Sequence, residues 1–390
     1  MAVGAHQGLN RVREIYQDRP QRARRLNTEG NKVVGYLCIY STVEIMTALD
    51  LVPYRIFGDM RETITKADAY MPTTVCPFLR SCLDLGLKGK YDFLDGIIVA
   101  HACDVTHRIP SLWGTLVRTP FSHFMDVPHT VHEGALEKQK GLLKHLHKSL
   151  ESLAGKELSP SRLKEAIEAH NRQRALVREL YDLRKPDPPL ISGTETLQVV
   201  VALMSLPVEE GSELLREVIS EVKERKDGPT KKAARLLTWG SIIDDTAIIE
   251  MIESLDANVV MDDNCVGSRA YFADVKLTDD PLDGLAYRYL AELKCPRTFR
   301  EDALGRAGKD YIASLENRYS YLGGYARDWR VGGALLQSVR YCDTHGYEVP
   351  SVKDYLASTG LPSIYLEHDY SEGALAPLRT RVQGFLEVIG

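Results

Sequence analysis

The stretch KVVGYLCIYSTVEIMTALDLVPYRIFG, residues 32–58, decides the fold. KVVGYLCIY (32–40) is a short apolar run rich in Val and Tyr. VEIMTALD (43–50) has helical spacing, and VPYRIFG (52–58) is strand-like again. Apolar run, helix, apolar run predicts a β-α-β opening with parallel strands. Such strands are buried on both faces and therefore lack the alternation of a half-exposed strand.

Outward from this unit, FLDGIIVAHACD (93–104) reads as a further parallel strand ending in small and polar residues, and SHFMDVP (122–128) as one more. Upstream, residues 5–28 are charged, with weak helical spacing through Val12, Ile15 and Tyr16, which predicts a peripheral helix and a turn at Gly30. From His132 to about Asp227 the pattern changes to long helices, over 135–155, 160–183 and 195–206, with a break at Lys185 to Pro189. Strand signals return in RLLTWGSII (235–243), NVVMDDNC (258–265), GGALLQSVRYCD (332–343) and PSIYLEHDY (362–370). Helices are expected at 244–255, 351–359 and 376–389. The expected architecture is α/β, two parallel-sheet lobes of flavodoxin-like build with a helical insertion between them. The boundaries are 1–28 for an N-terminal helix, 29–131 for the first lobe, 132–228 for the helical region and 229–390 for the second lobe.

Composition narrows the function. Of 390 residues, 44% are hydrophobic and 26% charged, the balance of a soluble globular chain, and the formal net charge of −5 comes without a concentrated basic face, which argues against nucleic acid. No apolar run reaches the ~20 residues that span a bilayer, and the N-terminus has no signal-peptide core, so a cytoplasmic location and no membrane partner are expected. Seven widely spaced cysteines do not form a secreted disulfide framework. There is no Walker A and no Gly-x-Gly-x-x-Gly, so ATP use would belong to a partner.

Each lobe carries an apolar strand ending in Cys-Asp, at Cys103-Asp104 and Cys342-Asp343. In parallel sheets functional groups gather at the carboxyl ends of strands. Cys76, before Pro77, is placed in a loop or at a helix N-terminus, where a thiolate is favoured. These three are candidate soft ligands, although their spacing is not a compact iron–sulfur signature. Zinc usually shows a close Cys or His pair, which is absent here. His101, His107 and His345 lie near the Cys-Asp pairs and read equally as hydrogen-bonded or surface residues. Cys38 and Cys82 read as core, Cys265 as the chief competitor for a ligand role, and Cys295 before Pro296 as structural.

Six segments in register resemble the 2-hydroxyacyl-CoA dehydratase and benzoyl-CoA reductase family. They are GYLCIYSTVEIMTALDLVPYRIFGD (35–59), VCPFLRSCLDL (75–85), YDFLDGIIVAHACD (91–104), DDNCVGSR (262–269) with DPLDGLAYRYL (280–290), RYCD (340–343) and LEHDYSEGALAPLRTRVQGFLE (366–387). The resemblance implies α/β lobes with helical additions and a [4Fe-4S] cluster held by Cys76, Cys103 and Cys342, with the remaining iron left for a small ligand or the substrate. It implies a homologous second subunit, an ATP-hydrolysing iron–sulfur activator protein and an acyl-CoA substrate. It also implies ketyl-radical chemistry, leading to loss of a hydroxyl or to reduction of an aromatic ring. A double-cluster homodimeric relative is a third implied reading and would recruit Cys38, Cys82 or Cys265. Where the family has Pro-Glu-Glu, this chain has Thr42-Val43-Glu44, so Glu44 alone keeps an acid that could move protons near substrate or simply cap or pair on its helix.

Overall fold

The structure, a computed structural model, describes residues 7–300 and 311–389. Among the described residues, eight strands form two four-stranded sheets. The first contains β1 (Val33–Leu37), β2 (Val52–Arg55), β3 (Gly96–Ala100) and β4 (Phe121–Met125), in the order β2-β1-β3-β4. The second contains β5 (Ala234–Gly240), β6 (Ala257–Asp263), β7 (Gly333–Val339) and β8 (Ser363–His368), in the order β6-β5-β7-β8. Every pairing is parallel. Each sheet thus repeats the first four strands of the flavodoxin-like order, with its switch point between its first and third strands.

The strands are apolar without interruption because both faces are covered. Val33 and Leu37 of β1, with Ile97 and Val99 of β3, enter one core that continues into Leu236, Val259 and Leu335 of the second sheet. Their neighbours Val34, Tyr36, Ile98 and Ala100 point the other way, into a core shared with the helices after residue 133. This is the period-2 alternation of a strand with two buried sides. At the end of β5 the chain lies close against Gln337 of β7. Gly240 has φ +148°, and a Cβ there would lie 1.8 Å from the carbonyl oxygen of Gln337, so only glycine fits.

Between the sheets lie helices Glu133–Ala154, Pro160–Asp182, Gly193–Leu203 and Val208–Glu224. Ser192 caps the third of these through a capping box with Glu195. The N-terminal segment, described from Gln7, is two helices, Gln7–Gln17 and Gln21–Thr28, with Pro20 at the cap position of the second. Leu9, Val12 and Tyr16 form an i, i+3, i+7 stripe that is buried, and the first helix packs on Gly193–Leu203 and Val208–Glu224.

One helix begins much earlier than its sequence pattern indicates. The segment expected at 351–359 is helical over Asp343–Ser358, despite Gly346 and Pro350. Proline within a helix removes a single amide donor, and the surrounding packing of Val349, Val352, Tyr355 and Leu356 outweighs it. The helix therefore starts directly after Cys342. Among the described residues, no helix is long and apolar enough to cross a membrane.

Candidate metal centre

Cys76, Cys103 and Cys342 each occupy the position immediately before a helix. Cys76 precedes Pro77–Leu87, Cys103 precedes Asp104–Leu116 and Cys342 precedes Asp343–Ser358. Helix N-termini offer unpaired amides and the positive end of the dipole, which favour a thiolate. The amides of Phe78 and Leu79 act on Cys76, those of Val105 and Thr106 on Cys103, and that of His345 on Cys342. The turn at Cys103 is set by Thr106, whose hydroxyl accepts from the amides of Ala102 and Cys103 at 2.9 Å each. Tyr341, with φ +63°, bends the chain out of β7 just before Cys342.

The three sulfurs lie within electrostatic reach of one another. Burial pushes the Cys76 thiol up, and the charges of Cys342 and Cys103 add to it. Burial raises Cys342 to about 11, with Cys103 contributing and the Thr344 hydroxyl opposing. Burial likewise raises Cys103. Thiols placed this way stay protonated unless a cation joins them. Among the described residues, no three His, Cys, Asp or Glu side chains converge closely enough to share a single ion. A cubane places irons between its thiolates and so takes donors spread more widely than one ion does, and an all-cysteine set is the iron–sulfur donor chemistry. The three residues fit that group.

Behind Cys342 runs a buried polar chain. Its Sγ is 3.3 Å from His345 Nδ1 and 3.5 Å from Thr344 Oγ1. His345 Nε2 is 3.2 Å from Arg269 Nη1, and a guanidinium only donates, so Nε2 accepts and the ring hydrogen sits on Nδ1, facing the sulfur. Arg269 is clamped by Asp263 at 3.0 and 3.1 Å, and Tyr321 donates to the same carboxylate at 2.8 Å. His101 and His107 do not contact a cysteine sulfur in this way. Their rings stack edge to face at 4.9 Å, His129 adds a second contact to His101 at 5.0 Å, and His101 Nδ1 is paired with Asp126 at 2.9 Å.

A second group of thiols emerges that sequence reasoning grouped only in part. Cys38 follows β1, Cys265 follows β6, and Cys295 lies on the segment before Pro296. Burial raises the Cys38 thiol, which feels Arg55 and Cys295; burial raises Cys265 to about 12, and it feels Arg55, Cys38, Arg269 and Cys295. Cys38 has φ +72°, a left-handed conformation that costs a non-glycine residue about 1–2 kcal/mol. Such strain is retained where the side chain is needed. Cys295 reads as structural in the sequence, yet a signal exists there: Cys76-Pro77 and Cys295-Pro296 are the two Cys-Pro dipeptides of the chain. Cys82 sits in the middle of helix Pro77–Leu87, fully buried.

Glu44 is fully buried on helix Val43–Ala48. Arg174 Nη2 donates to one carboxylate oxygen and Tyr289 Oη to the other, the latter at 2.8 Å. Burial raises its pKa, but Arg174, His170 and Arg288 prevail and hold it at about 2. Ionised, with both oxygens engaged, Glu44 is built as an anchor. Proton transfer through it requires one of those partners to move aside.

Two parallel-sheet lobes, each with a strand that runs on to a cysteine at a helix N-terminus, define a thiol-bearing α/β protein. The chain belongs to the family described as 2-hydroxyglutaryl-CoA dehydratase, D-component, which matches residues 38–389. It is 25% identical to one of the subunits of the benzoyl-CoA reductase of Thauera aromatica, over 98% of this chain and 97% of that one. It is 24% identical to the (R)-phenyllactyl-CoA dehydratase beta subunit of Clostridium sporogenes, over 92% of each chain. To the lactoyl-CoA dehydratase beta subunit of Anaerotignum propionicum it is 24% identical, again over 92% of each.

Proposed function

We propose that this chain is the iron–sulfur subunit of an anaerobic enzyme acting on CoA thioesters, with Cys76, Cys103 and Cys342 as ligands of a [4Fe-4S] cluster. The observation that carries the reading is that three thiols, drawn from both lobes and within electrostatic reach of one another, each stand at a helix N-terminus. When bound, such a cluster supplies single electrons at low potential. The chain's own share is distinct. Its helix-terminal amides and the His345 Nδ1–H donate to the sulfurs, and burial of Cys76 keeps water away. The names of the relatives support acyl-CoA as the substrate class, dehydration of a 2-hydroxyacyl-CoA as the first reaction and reduction of an aromatic acyl-CoA as the alternative. Each of these relatives is itself named as one subunit of its enzyme, which supports a homologous partner subunit here, and an ATP-hydrolysing activator in the same cytoplasm would deliver the electron. ATP consumed per product separates the two reactions, because elimination of water is redox-neutral and ring reduction is not.

One observation favours a larger assembly: Cys38, Cys265 and Cys295 form a second triad, so two cubanes could share the chain. Strictly anaerobic preparation with iron analysis tests both. About four irons per chain supports the single cluster and about eight the double one, whereas a colourless protein with one zinc overturns both.

A further inference from the structure

Buried arginines in this protein pair with carboxylates or cap backbone carbonyls. Arg174 meets Glu44, Arg184 meets Asp262 and Arg269 meets Asp263, while Arg235 and Arg288 donate to carbonyl oxygens. Arg55 departs from this rule. It ends β2, is 2% exposed, and its Nε and Nη1 have no hydrogen-bond partner among the described residues. No other described arginine leaves two buried nitrogens unpaired. A guanidinium in that condition is costly, because burial strips its water and nothing replaces the lost bonds.

Arg55 sits at the end of β2, on the side of the first sheet where three thiols pack. It pairs in register with Tyr36 of β1, two residues before Cys38, and its guanidinium lies 5.5 Å from the Tyr36 ring, which orients but does not neutralise it; Cys38, Cys265 and Cys295 pack with Tyr36 in one core. Cys38, with its left-handed backbone, packs against the core that holds Tyr36 and Cys295. We infer that Arg55 is the counter-cation of an anionic iron–sulfur group carried by Cys38, Cys265 and Cys295, donating through its two free N–H groups to thiolate or sulfide. The inference rests on the double-cluster reading. A fixed positive charge there offsets the net negative charge of a thiolate-bound cluster and makes it easier to reduce.

The test uses the full chain, prepared anaerobically with its iron, as wild type, Arg55→Met, Arg55→Lys, Cys295→Ser and the double variant Arg55→Met/Cys295→Ser. Iron content, melting temperature and a redox titration followed by electron paramagnetic resonance are read on each. The expected result is that Arg55→Met shifts to more negative potential the signal that Cys295→Ser abolishes, with Arg55→Lys lying nearer wild type. In the double variant the stability lost by Cys295→Ser is partly recovered, since the stranded cation is gone too, and a poorly folding Arg55→Met leaves this comparison to decide. If Cys295→Ser removes a signal but Arg55→Met moves neither that signal's potential nor its iron, and the double variant is no more stable, the role of Arg55 is overturned while the double cluster stands. If Cys295→Ser removes no iron, the double-cluster reading falls and the inference falls with it.

Discussion

The two thiol triads of this protein are stabilised by different means. Cys76, Cys103 and Cys342 stand at the N-termini of helices and receive amide hydrogens. Around Cys38, Cys265 and Cys295 guanidiniums predominate, with Arg55 acting on Cys38 and Cys265, Arg297 on Cys38 and Arg269 on Cys265, while a single amide, that of Tyr40, acts on Cys38. Backbone dipoles come with the fold and survive any single side-chain change, whereas side-chain cations can be removed one at a time. The first triad is therefore vulnerable at its sulfurs and, at Cys342, through the side chains of Thr344 and His345. The second is vulnerable at its sulfurs and at the charges around them.

Substitutions that strike one triad and spare the other put this contrast at risk. The largest expected effect is at the first: Cys76→Ala, Cys103→Ala and Cys342→Ala should each abolish the cluster proposed there, because a methyl group cannot replace a soft ligand. Full iron in Cys342→Ala would remove that residue from the ligand set. Next is Cys295→Ala, expected to lower the iron content by about half under the double-cluster assignment. An unchanged content would confine iron to the helix-capped triad.

The third effect concerns stability alone. Glu44→Gln leaves Arg174 and Arg288 without the buried carboxylate they share and should cost about 3–5 kcal/mol in urea titrations. Because Glu44 is held near 2, below its ordinary 4.5, its stabilisation is complete above about pH 4.5 and is lost as pH falls toward about 2. The variant's acid limb should be correspondingly flatter, and an unchanged one would show that the pairing is unimportant. The smallest effect is expected of Cys82→Ala, about 1 kcal/mol with iron retained, since Cys82 is a core side chain in mid-helix. Loss of iron there would transfer it to the ligands.

Strands β1, β3, β5 and β7 were legible because central parallel strands are apolar on both faces, and the Cys-Asp pairs were legible because they end two of them. Less visible was the helix after Cys342, whose Gly346 and Pro350 imitate a loop until tertiary packing overrides them. The partners of Glu44 were invisible, because they lie 130 and 245 residues away and ion pairing over that distance leaves no local pattern. Cys295 was hidden for the same reason. Its neighbours Cys38 and Cys265 meet it only once the chain has closed on itself.

The Glu44 anchor also bears on the order in which the chain can assemble. The acid lies on the first helix of the opening lobe, Arg174 on the long helix of the middle region, and Tyr289 in the π-helical turn Arg288–Glu292 after the second sheet has begun. A nascent chain that has made only the first lobe must leave that carboxylate in water or bury it protonated. The dry interior around it can therefore close only when all three segments are present. That makes the helical middle region a structural keystone, and it ties completion of the first lobe to synthesis of the second.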